Sequence, residues 1–140
     1  MWRCSGSYSP PSGSADANGV IDHVTVTNNN ASGISVFTPV TTGITAVAIS
    51  NSVSSNNSAE GIFISGGSGP LTVSIDNAAI SNNQTGIFAQ DGTAFLGRST
   101  VTRNTSANVV NSTANTFFSY KNNQFDQSIG TLLNTTLGLQ

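Results

Sequence analysis

Charge is scarce in this 140-residue chain: four basic side chains stand against six acidic ones, and charged residues make up only 7% of the total. Soluble domains usually carry about a quarter. The four cations, Arg3, Arg98, Arg103 and Lys121, are too scattered to assemble a basic patch, so no nucleic-acid partner is expected. Cys4 is the only cysteine, which excludes an internal disulfide. His23 is the only histidine, and no His/Cys/Asp cluster occurs, so neither a metal site nor a cofactor is expected. No apolar run approaches the roughly 20 residues of a membrane span. The opening Met1-Trp2-Arg3-Cys4-Ser5 lacks the apolar core of a secretory signal, which leaves the compartment open. Strong helix formers are sparse as well. Disorder normally goes with high net charge, and here the net charge is only −2.

What fills the chain is Ser, Thr, Asn and Gly, and they recur in order. An apolar residue, two polar residues and an Asn lead through a short loop to Gly-Ile. The phrase runs Val26-Thr27-Asn28-Asn29 to Gly33-Ile34, then Val53-Ser54-Ser55-Asn56 to Gly61-Ile62. It returns as Ile80-Ser81-Asn82-Asn83 to Gly86-Ile87, and as Val101-Thr102-Arg103-Asn104 to Asn108-Val109. The apolar column 26, 53, 80, 101 and the Asn column 29, 56, 83, 104 both step by 27, 27 and 21 residues. An upstream column, Ile21, Ile49, Ile75 and Leu96, steps by 28, 26 and 21. Such periods without helix formers indicate a β-solenoid.

Strand alternation then assigns faces. Ile62, Ile64, Ile87 and Ala89 point one way, and Leu71, Val73 and Ile75 alternate similarly. The expected fold is all-β: a right-handed parallel β-helix of about four to five rungs, three short strands per rung, over residues 18–124. Residues 1–17, rich in Ser, Gly and Pro, read as a flexible arm. Residues 125–140, carrying Leu132, Leu133, Leu137 and Leu139, read as a tail that caps the last rung. At the tight bends Asn29, Asn56, Asn83 and Asn104 would adopt the left-handed conformation and stack as a hydrogen-bonded ladder. Gly33, Gly61 and Gly86 would take angles that strain other residues, with Asn108 as the substitute.

The copies Ser81-Asn82-Asn83-Gln84-Thr85-Gly86-Ile87 and Ser55-Asn56-Asn57-Ser58-Ala59-Glu60-Gly61-Ile62 resemble parallel β-helix repeats of the pectin lyase-like superfamily. Ser119-Tyr120-Lys121-Asn122-Asn123 is similar to the closing rung of small bacterial members. The likeness covers roughly residues 18–124 and speaks for fold far more than for function, because this fold hosts lyases, hydrolases, adhesins and tailspikes. The resemblance implies that lyases hold calcium with carboxylates and use a Lys or Arg base, and that hydrolases use clustered Asp. The candidates here are Asp22 and Asp76, two rungs apart on one face at roughly 9–10 Å by the strand spacing, with Arg98 and Arg103 as cations. That separation is wide for one calcium but close to the carboxylate spacing of an inverting glycosidase. No Asp-Asp, Asn-Thr-Asp or Gly-His-Gly is present. The two Asp side chains read more simply as turn-capping groups, and His23 as an exposed strand residue.

Phe63 and Phe88 follow inward isoleucines, so alternation turns them outward in one column with Val110. Such a stripe stacks on sugars or buries against a protein. An outward Thr rank of the kind an ice-binding face needs is broken at Ala79, between Thr25 and Thr100. The expected function is therefore a non-catalytic module for surface, glycan or protein contact. Self-association into a homo-oligomer is its second expectation, and a polysaccharide lyase or glycosidase, truncated from a longer chain, is the alternative.

Overall fold

The computed structural model describes residues 6–8, 16–38, 43–67, 69–112, 116–126 and 135–137. Among them the regular elements are all strands, and they stack as a coil. A first short strand, β1 (Gly6–Tyr8), precedes four complete turns. These are β2 (Ala17–Asp22), β3 (Thr25–Thr27) and β4 (Ile34–Phe37); then β5 (Thr45–Ser50), β6 (Val53–Ser55) and β7 (Glu60–Ser65). The third turn is β8 (Leu71–Asp76), β9 (Ala79–Ser81) and β10 (Thr85–Ala89), and the fourth is β11 (Thr93–Gly97), β12 (Thr100–Thr102) and β13 (Ala107–Asn111). β14 (Thr116–Tyr120), β15 (Gln124–Phe125) and β16 (Thr135–Leu137) continue the coil.

Each strand pairs in parallel with its equivalents one turn away, which gives three sheets. Sheet A runs β1-β4-β7-β10-β13, sheet B runs β2-β5-β8-β11-β14-β16 in space, and sheet C runs β3-β6-β9-β12-β15. The core is the set of inward columns. Ile34, Ile62, Ile87 and Val109 stack in sheet A, and Ile49, Ile75 and Leu96 in sheet B, all at most 1% exposed. Val47, Val73, Ala94 and Phe117 form another column, in which buried Phe117 is by far the largest side chain. Burying one such side chain fully is worth about 1.5–3 kcal/mol, so the columns, not the loops, hold the coil.

Strands extend past both expected ends of the solenoid. β1 pairs with β4 and Ala17 opens β2, so residues 1–17 are not a free arm throughout. Phe125 pairs with Val101 and packs against the core, while β16 pairs with β14. Cys4, Leu132, Leu133 and Leu139 lie outside the described residues.

The bends correct the register of the second turn. Val26 pairs with Ser54, and Val53 stands outward over Thr25. The ladder is accordingly Asn29, Asn57, Asn83 and Asn104, each buried, whereas Asn56 is exposed. Its intervals are 28, 26 and 21, those of the upstream isoleucine column. Hydrophobicity misleads at this point because Ser54, although polar, is tolerated inside. Its hydroxyl donates to the Gly61 carbonyl at 2.7 Å and accepts from Asn57 Nδ2 at 3.1 Å.

The two duties expected of one Asn position also fall on neighbours. The left-handed residues are Asn28, Asn56, Asn82 and Arg103, with φ between 55° and 59°, and the ladder amides come one residue later. Asn29 Nδ2 donates to Asn57 Oδ1 at 2.9 Å, Asn57 Nδ2 to Asn83 Oδ1 at 2.9 Å, and Asn83 Nδ2 to Asn104 Oδ1 at 3.2 Å. Asn104 passes the chain to Asn108 at 2.9 Å, and Asn108 to the Asp126 carboxylate at 3.1 Å.

Glycine flanks the ladder because of space. A Cβ at Gly33, Gly61 or Gly86 would lie 2.6–2.7 Å from the Nδ2 of Asn57, Asn83 or Asn104 in the following turn. Positive φ among the described glycines occurs only at Gly92, so the strained angles expected of the other three are absent. At the column's end Asn108 is buried and prolongs the ladder with its own side chain.

Candidate functional site

Sheet B places alternate side chains on its outer face, and successive turns line them up. One outward column is Val20, Ala48, Ser74, Phe95 and Phe118. Beside it run Asp22, Ser50, Asp76 and Gly97, with Tyr120 on β14 next in line. The chain then bends through left-handed His23, Asn51, Asn77 and Arg98, a second corner with the same spacing as the ladder corner. Asn suits this conformation; at Arg98 a long side chain occupies it and reaches back over the sheet face.

The polar groups along this edge are tied to one another. Asp22 accepts from Ser50 Oγ at 2.6 Å and Asn51 Nδ2 at 2.8 Å, and His23 Nδ1 lies 2.6 Å from its other oxygen. These bonds, led by Ser50, hold the Asp22 carboxyl down at about 2. Asn77 Nδ2 donates to Asn51 Oδ1 at 2.7 Å. Asp76 takes both arms of the Arg98 guanidinium, Nε at 2.9 Å and Nη2 on the second oxygen. Hydrogen bonding to Arg98 lowers the Asp76 pKa, and the same contact raises that of Arg98.

Above this pair opens a cleft of about 490 Å³ lined by Ser74, Asp76, Phe95, Gly97, Arg98, Tyr120 and Asn122, with Ile75 at its base. Gly97 lacks a side chain between Asp76 and Tyr120 in this row. A Cβ there would meet Asp76 Oδ1 at 3.3 Å and the Tyr120 ring at 3.4 Å. Phe95 and Phe118 stack with ring centroids 5.1 Å apart and planes 16° apart. Ser74 also borders a second, smaller trough of about 250 Å³, which runs over Asn18, Gly19, Val20, Ala46, Ala48 and Thr72.

Of the four residues expected to bear on catalysis, only Asp76 and Arg98 come together. Asp22 is two strands from Asp76, with Ser50 between them. Arg103 lies at the other corner, where its backbone N–H donates to Asp126 at 2.7 Å. Phe63 and Phe88 stand half-buried in one column with Val110 on sheet A, their rings 5.7 Å apart and tilted by 51°. The residues that sequence reasoning missed are Phe95, Phe118, Tyr120 and Asn122. The signal was available: Phe95 precedes the inward Leu96, so the alternation applied to Phe63 also turns Phe95 outward.

Comparison with family models, curated proteins and solved structures gave no match. The likeness to the pectin lyase-like superfamily therefore rests on the repeat residues. Among the described residues no group of three His, Cys, Asp or Glu could hold a metal ion, and no helix is long and apolar enough to cross a membrane.

Proposed function

We propose that this chain is a non-catalytic β-solenoid contact module whose working surface is the outer face of sheet B, and that its ligand is a glycan. The observation that carries the reading is the cleft, in which aromatic Phe95 and Tyr120 stand beside the hydrogen-bonding groups of Asp76, Arg98 and Asn122. Carbohydrates are met in this way, their C–H faces on rings and their hydroxyls on fixed polar groups.

The lyase or glycosidase alternative fares worse on the same residues. An inverting glycosidase needs one carboxyl kept protonated by a raised pKa, and both Asp22 and Asp76 are shifted down. A base must lose its proton, and Arg98 is held more firmly charged by Asp76. Binding to a panel of immobilised polysaccharides, with product analysis on the same samples, tests both readings. Retention that is lost in Phe95→Ala, without new reducing ends or unsaturated products, is the expected result. Products that vanish in Asp76→Ala would instead establish the enzyme.

A second contact, with another copy of the chain, is supported by sheet A. Phe63, Phe88 and Val110 form an apolar outer column whose place on β4 is held by Ser35, and Phe37, 48% exposed, stands two residues further along β4 beside Ser65. Light scattering should give a mass above one 14.3 kDa chain, falling to the monomer in Phe63→Ser with Phe88→Ser. A single-chain mass for the unmodified protein at all concentrations would remove this contact.

A further inference from the structure

The Phe95–Phe118 stack is unfinished. Coplanar rings cannot approach to 5.1 Å, so planes 16° apart at that distance must lie face over face, one turn above the other. One face of Phe95 is thus partly covered by Phe118. The other looks along the coil towards the preceding turn, where the same column holds Ser74. A serine fills little of the space that a third ring would take at one strand spacing, roughly 4.7–4.9 Å. That space is part of the cleft, which Ser74 and Phe95 line and Phe118 does not. It is a slot for one ring.

Beyond Ser74 the trough continues towards β2 over small side chains, Thr72, Ala48, Ala46 and Gly19, ending beside Val20, which is 74% exposed. The track follows the coil axis because the outward residues pair one over another from β2 to β11. Its charge is also distinctive. Among the described residues, the only cation lining either hollow is Arg98, and Asp76 already engages it through two contacts. Asp22 adds a carboxylate at the N-terminal part of the same edge, held ionised by its hydrogen bonds. Among the described residues that line the two hollows, a polyanion would find no cation that a carboxylate does not already engage, and it would pass two carboxylates.

Building on the glycan reading, we propose that cleft and trough form one track for an uncharged, linear glycan lying along the coil axis, with one sugar ring seated on the open face of Phe95. The Asp76 and Arg98 groups, fixed by each other, and the Asn122 amide then face the hydroxyls of that ring. Successive residues of the chain lie over Ala48, Ala46 and Gly19. The ligand class thus differs from the uronides that pectin-degrading proteins take.

Calorimetric titration of the intact chain with neutral β-linked hexose oligomers of two to six residues, and with oligogalacturonates of the same lengths, tests this. The affinity for neutral oligomers should rise at least tenfold from dimer to hexamer and hold between low and high salt. Ser74→Phe, which would complete the stack and fill the slot, should weaken binding at least tenfold while leaving the melting transition in place, and Phe95→Ala should do likewise. Tighter, salt-sensitive binding of oligogalacturonates would overturn the neutral ligand but keep the glycan surface, provided Phe95→Ala still weakens it. Length-independent affinity, or neutral binding indifferent to Ser74→Phe, would overturn the track. Failure of every oligomer to bind would take the glycan reading down with it.

Discussion

The ladder corner and the outer face of sheet B are built from the same repeat, yet they are opposites. At the ladder corner each of the first three turns buries one amide that hands its N–H to the next turn, and the fourth relays it from Asn104 through Asn108 to Asp126. Unpaired polar atoms are costly there, so the corner has no freedom to take a ligand. On sheet B the same stacking lines up half-exposed rings and charges whose spare faces and lone pairs look outward. A column that closes on itself holds the coil together; a column that stops short, as the rings do at Ser74, leaves a site.

The sharpest way to break this contrast is to crowd the closed corner. In Gly86→Ala the new Cβ would sit 2.4 Å from the Asn108 carbonyl oxygen and 2.6 Å from Val101 Cγ1, both in the next turn. Neither neighbour can swing away, so the cost should reach about 3 kcal/mol, the upper part of the usual overpacking range. Denaturant unfolding would read it as a lower midpoint, and a midpoint equal to the parent's would mean that the corner is looser than described.

The register of the second turn gives a somewhat smaller and more discriminating effect. Asn57→Ala strands Asn29 Nδ2 and removes the donor to Asn83, for about 1–3 kcal/mol. Asn56→Gly keeps the left-handed backbone and should change stability by less than about 0.5 kcal/mol. Equal losses in the two variants would put the ladder back on Asn56. This pair also shows how legible the fold was. Four near-copies announced a coil, and the column Ile21, Ile49, Ile75 and Leu96 already carried the true intervals. The Asn column was misplaced by one residue because Val53 looks like a core residue and Ser54 does not. The order is reversed by hydrogen bonds that only the folded bend supplies.

Acid should act most weakly, and on the open face. The Asp22 and Asp76 pKa values are depressed in the folded chain, so their contribution is complete above the ordinary carboxylate value of 3.8. It is then lost as the pH falls through the folded values, towards about 2 for Asp22. Melting temperature followed from pH 5 to pH 2 should therefore drop less steeply in Asp22→Asn and Asp76→Asn than in the parent. Parallel curves for parent and variants would show that these bonds add nothing to stability. Because both groups lie near the surface, the difference should be the smallest of the three and should shrink in salt.

What the sequence by itself determined is the coil: its period, its inward isoleucine columns and its asparagine-rich bends, because alternation and repeat spacing are local quantities. It also put Phe63 and Phe88 outward, and the same rule would have placed Phe95. Only the tertiary structure decided which asparagine of the pair Asn56 and Asn57 joins the ladder, and that Asp76 meets Arg98 and not Asp22. The cleft belongs to that second group. Its walls come from β8, from β11 and β14 and from the bends that follow those two, in three successive turns of unequal length. Which side chains become neighbours across those turns depends on how much chain each intervening loop consumes, and stacking in space settles that count.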